Sequence, residues 1–263
     1  MKSARIFFSL LLCLLLASCG NQNNADSDEG NLLAEVKDGG KLRIGTEGTY
    51  PPFSFHNETG ELTGFDVEIA REAAKRIGVE AEFLETQWDA MFAGLDSKRF
   101  DMVANQVGIR EDRLEKYDFS DPYITSSAVL VVPMDNEFIQ SFENIEGLKS
   151  AQSLTSNYAN IAKQYGAEIV GVEGFNQAIE LLNSGRVNVT INDKLTVLDF
   201  LKQRPDAKVK IAATSEDASK SGFMFRKGSD TLIDEVNKAL QEMIADGTYL
   251  KISEKWFGEN VLK

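Results

Sequence analysis

The sequence predicts an α/β chain folded as two units. Strand-like and helix-like runs alternate from Lys41 onward, the pattern of sheets covered by helices. That alternation breaks at Pro133 and again at the polar stretch 214–220, and the series between them, about 80 residues, is long enough for a core of its own. No internal repeat of roughly 20 to 50 residues stands out, which makes a solenoid a poor fit.

The chain opens with Lys2 and Arg5, an apolar run over residues 6–16, and the small residues Ala17 and Ser18. This order is that of a secretory signal peptide, and the run is shorter than the ~20 residues needed to span a bilayer. Leu16-Ala17-Ser18-Cys19 resembles the lipobox of bacterial lipoproteins, which implies a signal peptide over 1–18 and a lipid on Cys19. A second acyl chain on such a cysteine turns a marginal anchor into a stable one. Cleavage ahead of Cys19 removes Lys2, Arg5 and Cys13 and takes the formal net charge from −13 to −15. The one remaining cysteine is the lipidated one, so stability has to come from the core and not from disulfides. Residues 19–40, which open polar and acidic and contain no aromatic residue, read as a flexible tether.

The folded part begins with a strand through Leu42-Arg43-Ile44, the turn Glu47-Gly48, and a hairpin turning at Asn57-Glu58-Thr59-Gly60. Phe65, Ile69, Ala73 and Ile77 then fall at steps of four and Gly78 follows, which predicts a helix stopped by that glycine. A strand over 81–84, a short helix over 90–95, a strand over 102–104 and a long β run over 126–132 come next. The second series, from about Phe142, reads as a strand, then helix 157–165, strand 168–170, helix 175–183, strand 187–191, helix 195–202 and strand 209–212. Beyond the polar stretch lie a strand over 222–225 and two helices reaching Trp256-Phe257-Gly258. Strands separated by helices predict largely parallel sheets.

Composition narrows the chemistry. His56 is the only histidine and sits in the hairpin, so a Ser-His-Asp or Cys-His arrangement has one poorly placed base. One histidine and one lipidated cysteine cannot build a zinc site, and no Asp-rich calcium loop is present. Walker and dinucleotide-binding glycine motifs are missing too. The acidic balance argues against nucleic acid as a partner, since phosphate backbones are held by basic patches. No catalytic residue, metal or cofactor is expected, and recognition of a small molecule remains.

A zwitterionic amino acid needs a fixed cation for its carboxylate, an anion and carbonyls for its ammonium, and an apolar wall for its body. Tyr50, Phe53, Phe55 and Trp88 supply aromatic faces. Gln106 and Gly108, followed by Arg113, supply backbone groups and a guanidinium, and Asn192-Asp193 supplies a carboxylate at a strand end. Each has a plainer alternative: Tyr50, Phe53 and Trp88 suit core packing, Arg113 suits a helix surface, and Asp193 suits an N-cap for the helix beginning near Lys194.

With those segments in view, residues 41–260 resemble the polar-amino-acid solute-binding proteins of ABC importers. The resemblance rests on Leu42-Arg43-Ile44-Gly45-Thr46, Pro51-Pro52-Phe53-Ser54-Phe55, Leu62-Thr63-Gly64-Phe65-Asp66-Val67-Glu68, Arg113 ahead of Tyr117-Asp118-Phe119-Ser120-Asp121-Pro122-Tyr123, and Asp246-Gly247-Thr248-Tyr249 ahead of Lys255-Trp256-Phe257-Gly258. Gln87-Trp88-Asp89-Ala90, Ala104-Asn105-Gln106-Val107-Gly108-Ile109, Ser153-Leu154-Thr155-Ser156-Asn157-Tyr158 and Thr190-Ile191-Asn192-Asp193 look closest to the cystine-binding branch.

The resemblance implies a two-lobed periplasmic-binding-protein-like fold of type II with two hinge crossovers. Lobe one is then 41–127 plus 222–260 and lobe two 132–216, with Pro133 and 214–220 at the hinges. It implies that Arg113 pairs with the ligand carboxylate, that the backbone of Gln106 and Gly108 holds the amino-acid head, that Asp193 receives the ammonium and that Thr155 offers its N–H from lobe two. Many relatives carry Thr where Gly108 stands, so the head-group set here leans on backbone. The implied ligand is cystine, the implied partners are a membrane permease with its ATPase, and the implied state is a monomer held at the outer face of the bacterial membrane by its lipid. Cysteine, diaminopimelate or glutamine would use the same head-group contacts. A periplasmic dehydratase of the cyclohexadienyl type, built on the same fold, is the enzyme alternative, and a receptor for a signalling partner is a third reading.

Overall fold

The computed structural model describes residues 31–262. The expected signal peptide, the lipobox with Cys19 and most of the expected tether lie outside the described residues. The first lobe runs through α1 (Leu32–Gly39), β1 (Lys41–Thr46), β2 (Thr49–Tyr50), β3 (Ser54–His56), β4 (Leu62–Thr63), α2 (Phe65–Ile77), β5 (Glu80–Glu85), α3 (Trp88–Asp96), β6 (Met102–Val103), α4 (Glu111–Leu114) and β7 (Tyr117–Phe119). The long strand β8 (Ile124–Pro133) leads into the second lobe: a 3₁₀ turn (Phe142–Ile145), β9 (Lys149–Gln152), α5 (Asn157–Gln164), β10 (Glu168–Gly171), α6 (Phe175–Asn183), β11 (Val189–Asp193), α7 (Lys194–Gln203) and β12 (Val209–Ser221). The chain then returns to the first lobe as β13 (Met224–Arg226), α8 (Asp230–Ala245) and α9 (Thr248–Phe257).

The lobes are two five-stranded sheets, β5-β1-β6-β13-β7 and β10-β9-β11-β8-β12, and β2-β3-β4 forms a small third sheet. Helix α2 spans the predicted range because its apolar residues face the first sheet and Gly78, at φ 91, ends it in a left-handed turn closed upon Ala74 and Lys75. Leu42, Ile44, Phe65, Ile69 and Phe225 are fully buried on that face, while Trp88, Met91, Phe100 and Met224 pack the other face under α3.

Four expectations need correction. The sheets are mixed rather than largely parallel: β1 pairs in parallel with β5 and β6, but β13 runs antiparallel to β6 and β7, and β8 antiparallel to β11 and β12. The reversals arise where the chain crosses between lobes, because the strand that leaves and the strand that returns run in opposite directions. Residues 32–39, placed in the tether, form α1: Leu32 and Val36 are one turn apart and buried, and Asn31 Oδ1 accepts from Ala34 N at 3.4 Å at its start.

The polar stretch 214–220 is part of β12. As the edge strand it keeps one side in solvent, so polar residues are tolerated, and register shifts between Ile211 and Ala213 and between Thr214 and Ala218 absorb the irregular pattern. Pro133 is no hinge. It pairs with Val209 at the far end of β8, where its missing N–H ends a ladder. The crossing lies at the near end, where Ile109 N donates to Lys220 O (2.9 Å), Tyr123 N to Ser221 O (3.0 Å) and Ser120 N to Phe223 O (2.9 Å).

Candidate ligand site between the lobes

A cavity between the two sheets encloses about 530 Å³ of empty space, part of it open to solvent. From the first lobe it is lined by Glu47, Tyr50, Trp88, Asn105 and Gln106. From the second come the entry of α5 (Ser153, Ser156, Asn157, Tyr158), the entry of α6 (Gly174, Phe175) and Asn192 at the end of β11. Two helix N-termini therefore meet the cavity. The Ser156 hydroxyl accepts from Ala159 N (3.0 Å) and caps α5, whereas α6 begins at Gly174 with no side-chain cap. Helix N-termini present N–H groups and a positive dipole end, which suits an anionic group.

Gln106 is held by a buried clamp. Its φ is +51°, a left-handed conformation that costs energy for a residue with a Cβ. Asp66, in the first turn of α2, accepts from Gln106 N at 2.8 Å and from Gln106 Nε2 at 2.7 Å, fixing both backbone and amide. Complete burial pushes the Asp66 carboxyl up to about 7 against the opposing pull of those bonds. The Gln106 N–H is thus already used, so of its two backbone groups the carbonyl alone is left for a head group.

Arg113, in α4, is buried with 4% of its surface exposed. Its Nη1 donates to Gly108 O (2.9 Å) and its Nη2 to Thr155 O (3.2 Å), and the guanidinium lies 5.4 Å from the ring centroids of both Trp88 and Phe92. No carboxylate among the described residues forms an ion pair with it. Burial, with help from neighbouring Arg110, pulls its pKa down to about 10. A cation desolvated without a counter-ion is costly in a stable fold, and a ligand carboxylate is the natural partner. A Cβ built on Gly108 would stand 3.6 Å from Arg113 Nη1, an ordinary contact, so the glycine is not required by lack of room.

Of the nine expected ligand residues, Tyr50, Trp88 and Gln106 line the cavity; Arg113 and Gly108 sit beside it, joined to each other. Four stand elsewhere. Phe53 is fully buried in the core, 5.9 Å from Phe257, because its position in the hairpin sends it inward while Tyr50 faces the cleft. Phe55 packs edge-on against Trp256 at 5.8 Å. Thr155 turns away from the cavity: its N–H and hydroxyl both donate to Asp89 Oδ1, at 3.0 and 2.7 Å. Asp193 takes its plainer role as the N-cap of α7, accepting from Leu195 N (2.8 Å), and it also accepts from the hydroxyls of Ser126 (2.9 Å) and Tyr158 (3.3 Å). Burial pushes its carboxyl up to about 6, and Tyr158 stands on the cavity side of it.

The residue missed is Glu47. Asn105 Nδ2 donates to Glu47 Oε2 at 2.6 Å, and a Cβ built on Gly174 would stand 3.8 Å from Glu47 Oε1, so this first-lobe carboxylate reaches the N-terminus of α6. Burial pushes it up to about 7. Its only signal in the sequence is its place immediately after β1, in the turn it shares with Gly48.

Comparison with known proteins agrees with this fold. Residues 42–259 match the family model of bacterial extracellular solute-binding proteins, family 3. The L-cystine-binding protein TcyA of Bacillus subtilis (strain 168) is 52% identical over 267 residues, covering 100% of this chain and 99% of that protein. The L-cystine solute receptor of Neisseria gonorrhoeae, in its unliganded open conformation, is 45% identical with a TM-score of 0.59, covering 89% of this chain and all of that one. An ancestral arginine-binding protein bound to arginine is 40% identical with a TM-score of 0.78, covering 83% of this chain and 98% of that one. The chain belongs to the bacterial extracellular solute-binding proteins of family 3.

Proposed function

We propose that this protein captures L-cystine outside the cytoplasm and delivers it to a membrane permease driven by a separate ATPase, itself performing no chemistry. The observation that carries the reading is Arg113: a buried guanidinium beside an interlobe cavity, with no counter-charge paired to it among the described residues. A ligand carboxylate supplies that charge, and the Trp88 indole, whose buried Nε1 has no hydrogen-bond partner among the described residues, offers a second donor beside it.

Cystine is favoured over a single-headed amino acid by Glu47. Cystine carries two zwitterions joined by a disulfide. One head is assigned to Arg113, the Gln106 carbonyl and the Asn192 amide; the second ammonium is assigned to Glu47, and its carboxylate to the uncapped start of α6. The similarity to TcyA over the full length supports the same ligand. The higher TM-score with an arginine-bound relative than with an open receptor closer in sequence supports a closed arrangement here, with capture as a shift between open and closed populations. Residues 1–18 are assigned as the signal peptide and Cys19 as the lipid-bearing residue that keeps the protein at the outer face of the membrane, as a monomer. Titration with L-cystine tests the reading; a protein that bound glutamine or diaminopimelate and not cystine would keep the site and lose the ligand.

A further inference from the structure

Among the described residues, besides the Arg110 guanidinium facing the Asn160 amide, three sets of side-chain hydrogen bonds join the lobes across the cleft: Tyr50 OH donates to Asn192 Oδ1 at 2.7 Å, Arg113 Nη2 to Thr155 O at 3.2 Å, and the segment Leu154–Thr155 donates to Asp89. The first two belong to groups at or beside the cavity, so a ligand will remake them. The third lies outside it. Asp89, on the exposed first turn of α3, takes Leu154 N on Oδ2 at 3.1 Å and Thr155 N and Oγ1 on Oδ1 at 3.0 and 2.7 Å, and neither Asp89 nor these two residues line the cavity.

We propose that Asp89 is the closure latch of this protein, a positioning residue that sets affinity by stabilising the closed lobes without touching the ligand. The Thr155 peptide is gripped on both sides by the first lobe, its N–H and hydroxyl by Asp89 and its carbonyl by Arg113. Parting the lobes removes all of these bonds at once, whatever fills the cavity. A contact that exists only in the closed state shifts the open–closed equilibrium by its own free energy and slows ligand escape, while leaving the open encounter surface unchanged. Charge-assisted bonds at a partly exposed site are modest singly, and three sharing one carboxylate place the expected effect at about tenfold.

The inference rests on the binding reading, so the test includes a measurement that needs no ligand. In the full-length protein carrying spin labels at K75C and K163C, one on each lobe, distance distributions without ligand are expected to shift toward the open population in D89A and partly in D89N. With L-cystine as probe, dissociation should be about tenfold faster in D89A with association within about twofold of the parent. T155V, which removes only the hydroxyl, should give part of the effect, and D89A with T155V should cost little more than D89A alone, since both cut the same contact. An unchanged closed fraction and dissociation rate in D89A would overturn the latch. Slower dissociation would also overturn it, by showing that Asp89 competes with the ligand for the Thr155 N–H. Failure of L-cystine to bind the parent would remove the proposed ligand but leave the spin-label distances to decide the latch.

Discussion

Replacing Arg113 with alanine separates a ligand-binding guanidinium from a structural one. Arginine offers five N–H donors, and among the described residues it makes two side-chain hydrogen bonds, to Gly108 O and Thr155 O, so donors remain for a bidentate grip on a carboxylate. Truncating one partner of a buried, hydrogen-bonded charge pair costs about 2–5 kcal/mol of binding, or a rise in Kd of roughly 30- to 4,000-fold at 1.4 kcal/mol per decade. Stability of the ligand-free protein should move far less. Two carbonyl bonds worth about 1 kcal/mol each are lost, and relief of a buried cation without a counter-ion offsets them. Calorimetric titration with L-cystine, paired with thermal unfolding of the unliganded variant, reads both quantities. A loss of affinity below about tenfold would refute the assignment, and so would a loss of stability as large as the loss of binding.

Further outcomes follow from the buried carboxylates and the leader. Glu47, Asp66 and Asp193 are raised by burial to about 7, 7 and 6 from ordinary values of 4.5, 3.8 and 3.8, so between about pH 4 and 7 the folded, ligand-free protein holds protons that the unfolded chain has released. Stability therefore falls as pH rises through that window, and Asp112 and Asp246, whose pKa values are lowered, act only at lower pH; the melting temperature should be higher at pH 5.5 than at pH 7.5, and the opposite order would contradict these environments. An ammonium arriving at Glu47 requires the ionised carboxylate, so L-cystine binding should release a proton below about pH 7 and tighten from pH 5.5 to 7.5, and E47Q should flatten that dependence. D193A should lose about 2–4 kcal/mol of stability in urea unfolding, through the α7 cap and the stranded Ser126 and Tyr158 hydroxyls, and D193N clearly less. C19S should move the protein from the membrane fraction to the soluble one; retention on membranes would place the anchor elsewhere.

What was legible in the sequence followed from local rules. Phe65, Ile69, Ala73 and Ile77 with Gly78 specified α2 because helical spacing and a glycine stop are short-range signals, and the ends of α6 were equally clear. Strand direction was not legible, since it depends on where the chain recrosses. The polar 214–220 stretch hid a strand because an edge strand needs only one apolar side. At the site, Arg113 and Trp88 stand out as candidates by their chemistry, a guanidinium and an indole, and the structure places Trp88 on the cavity wall with Arg113 against it. Thr155 and Asp193 stand off the cavity wall because their partners, Asp89 and the α7 N-terminus, decide their orientation. Glu47 was missed because its place on the cavity wall comes from burial against the entry of α6, a helix about 130 residues further along the chain that no local pattern connects to it.

The most direct test of the account is isothermal titration of the fragment beginning at Gly20, unfolded and refolded to strip carried-over ligand, against L-cystine, cysteine under reducing conditions, glutamine, histidine and arginine. Tight one-to-one binding of L-cystine, with weak or no binding of the single-headed amino acids, is the expected result. Preference for any of the other four would contradict the assignment of Glu47 to a second head group, and binding of none would contradict the proposed function as a whole.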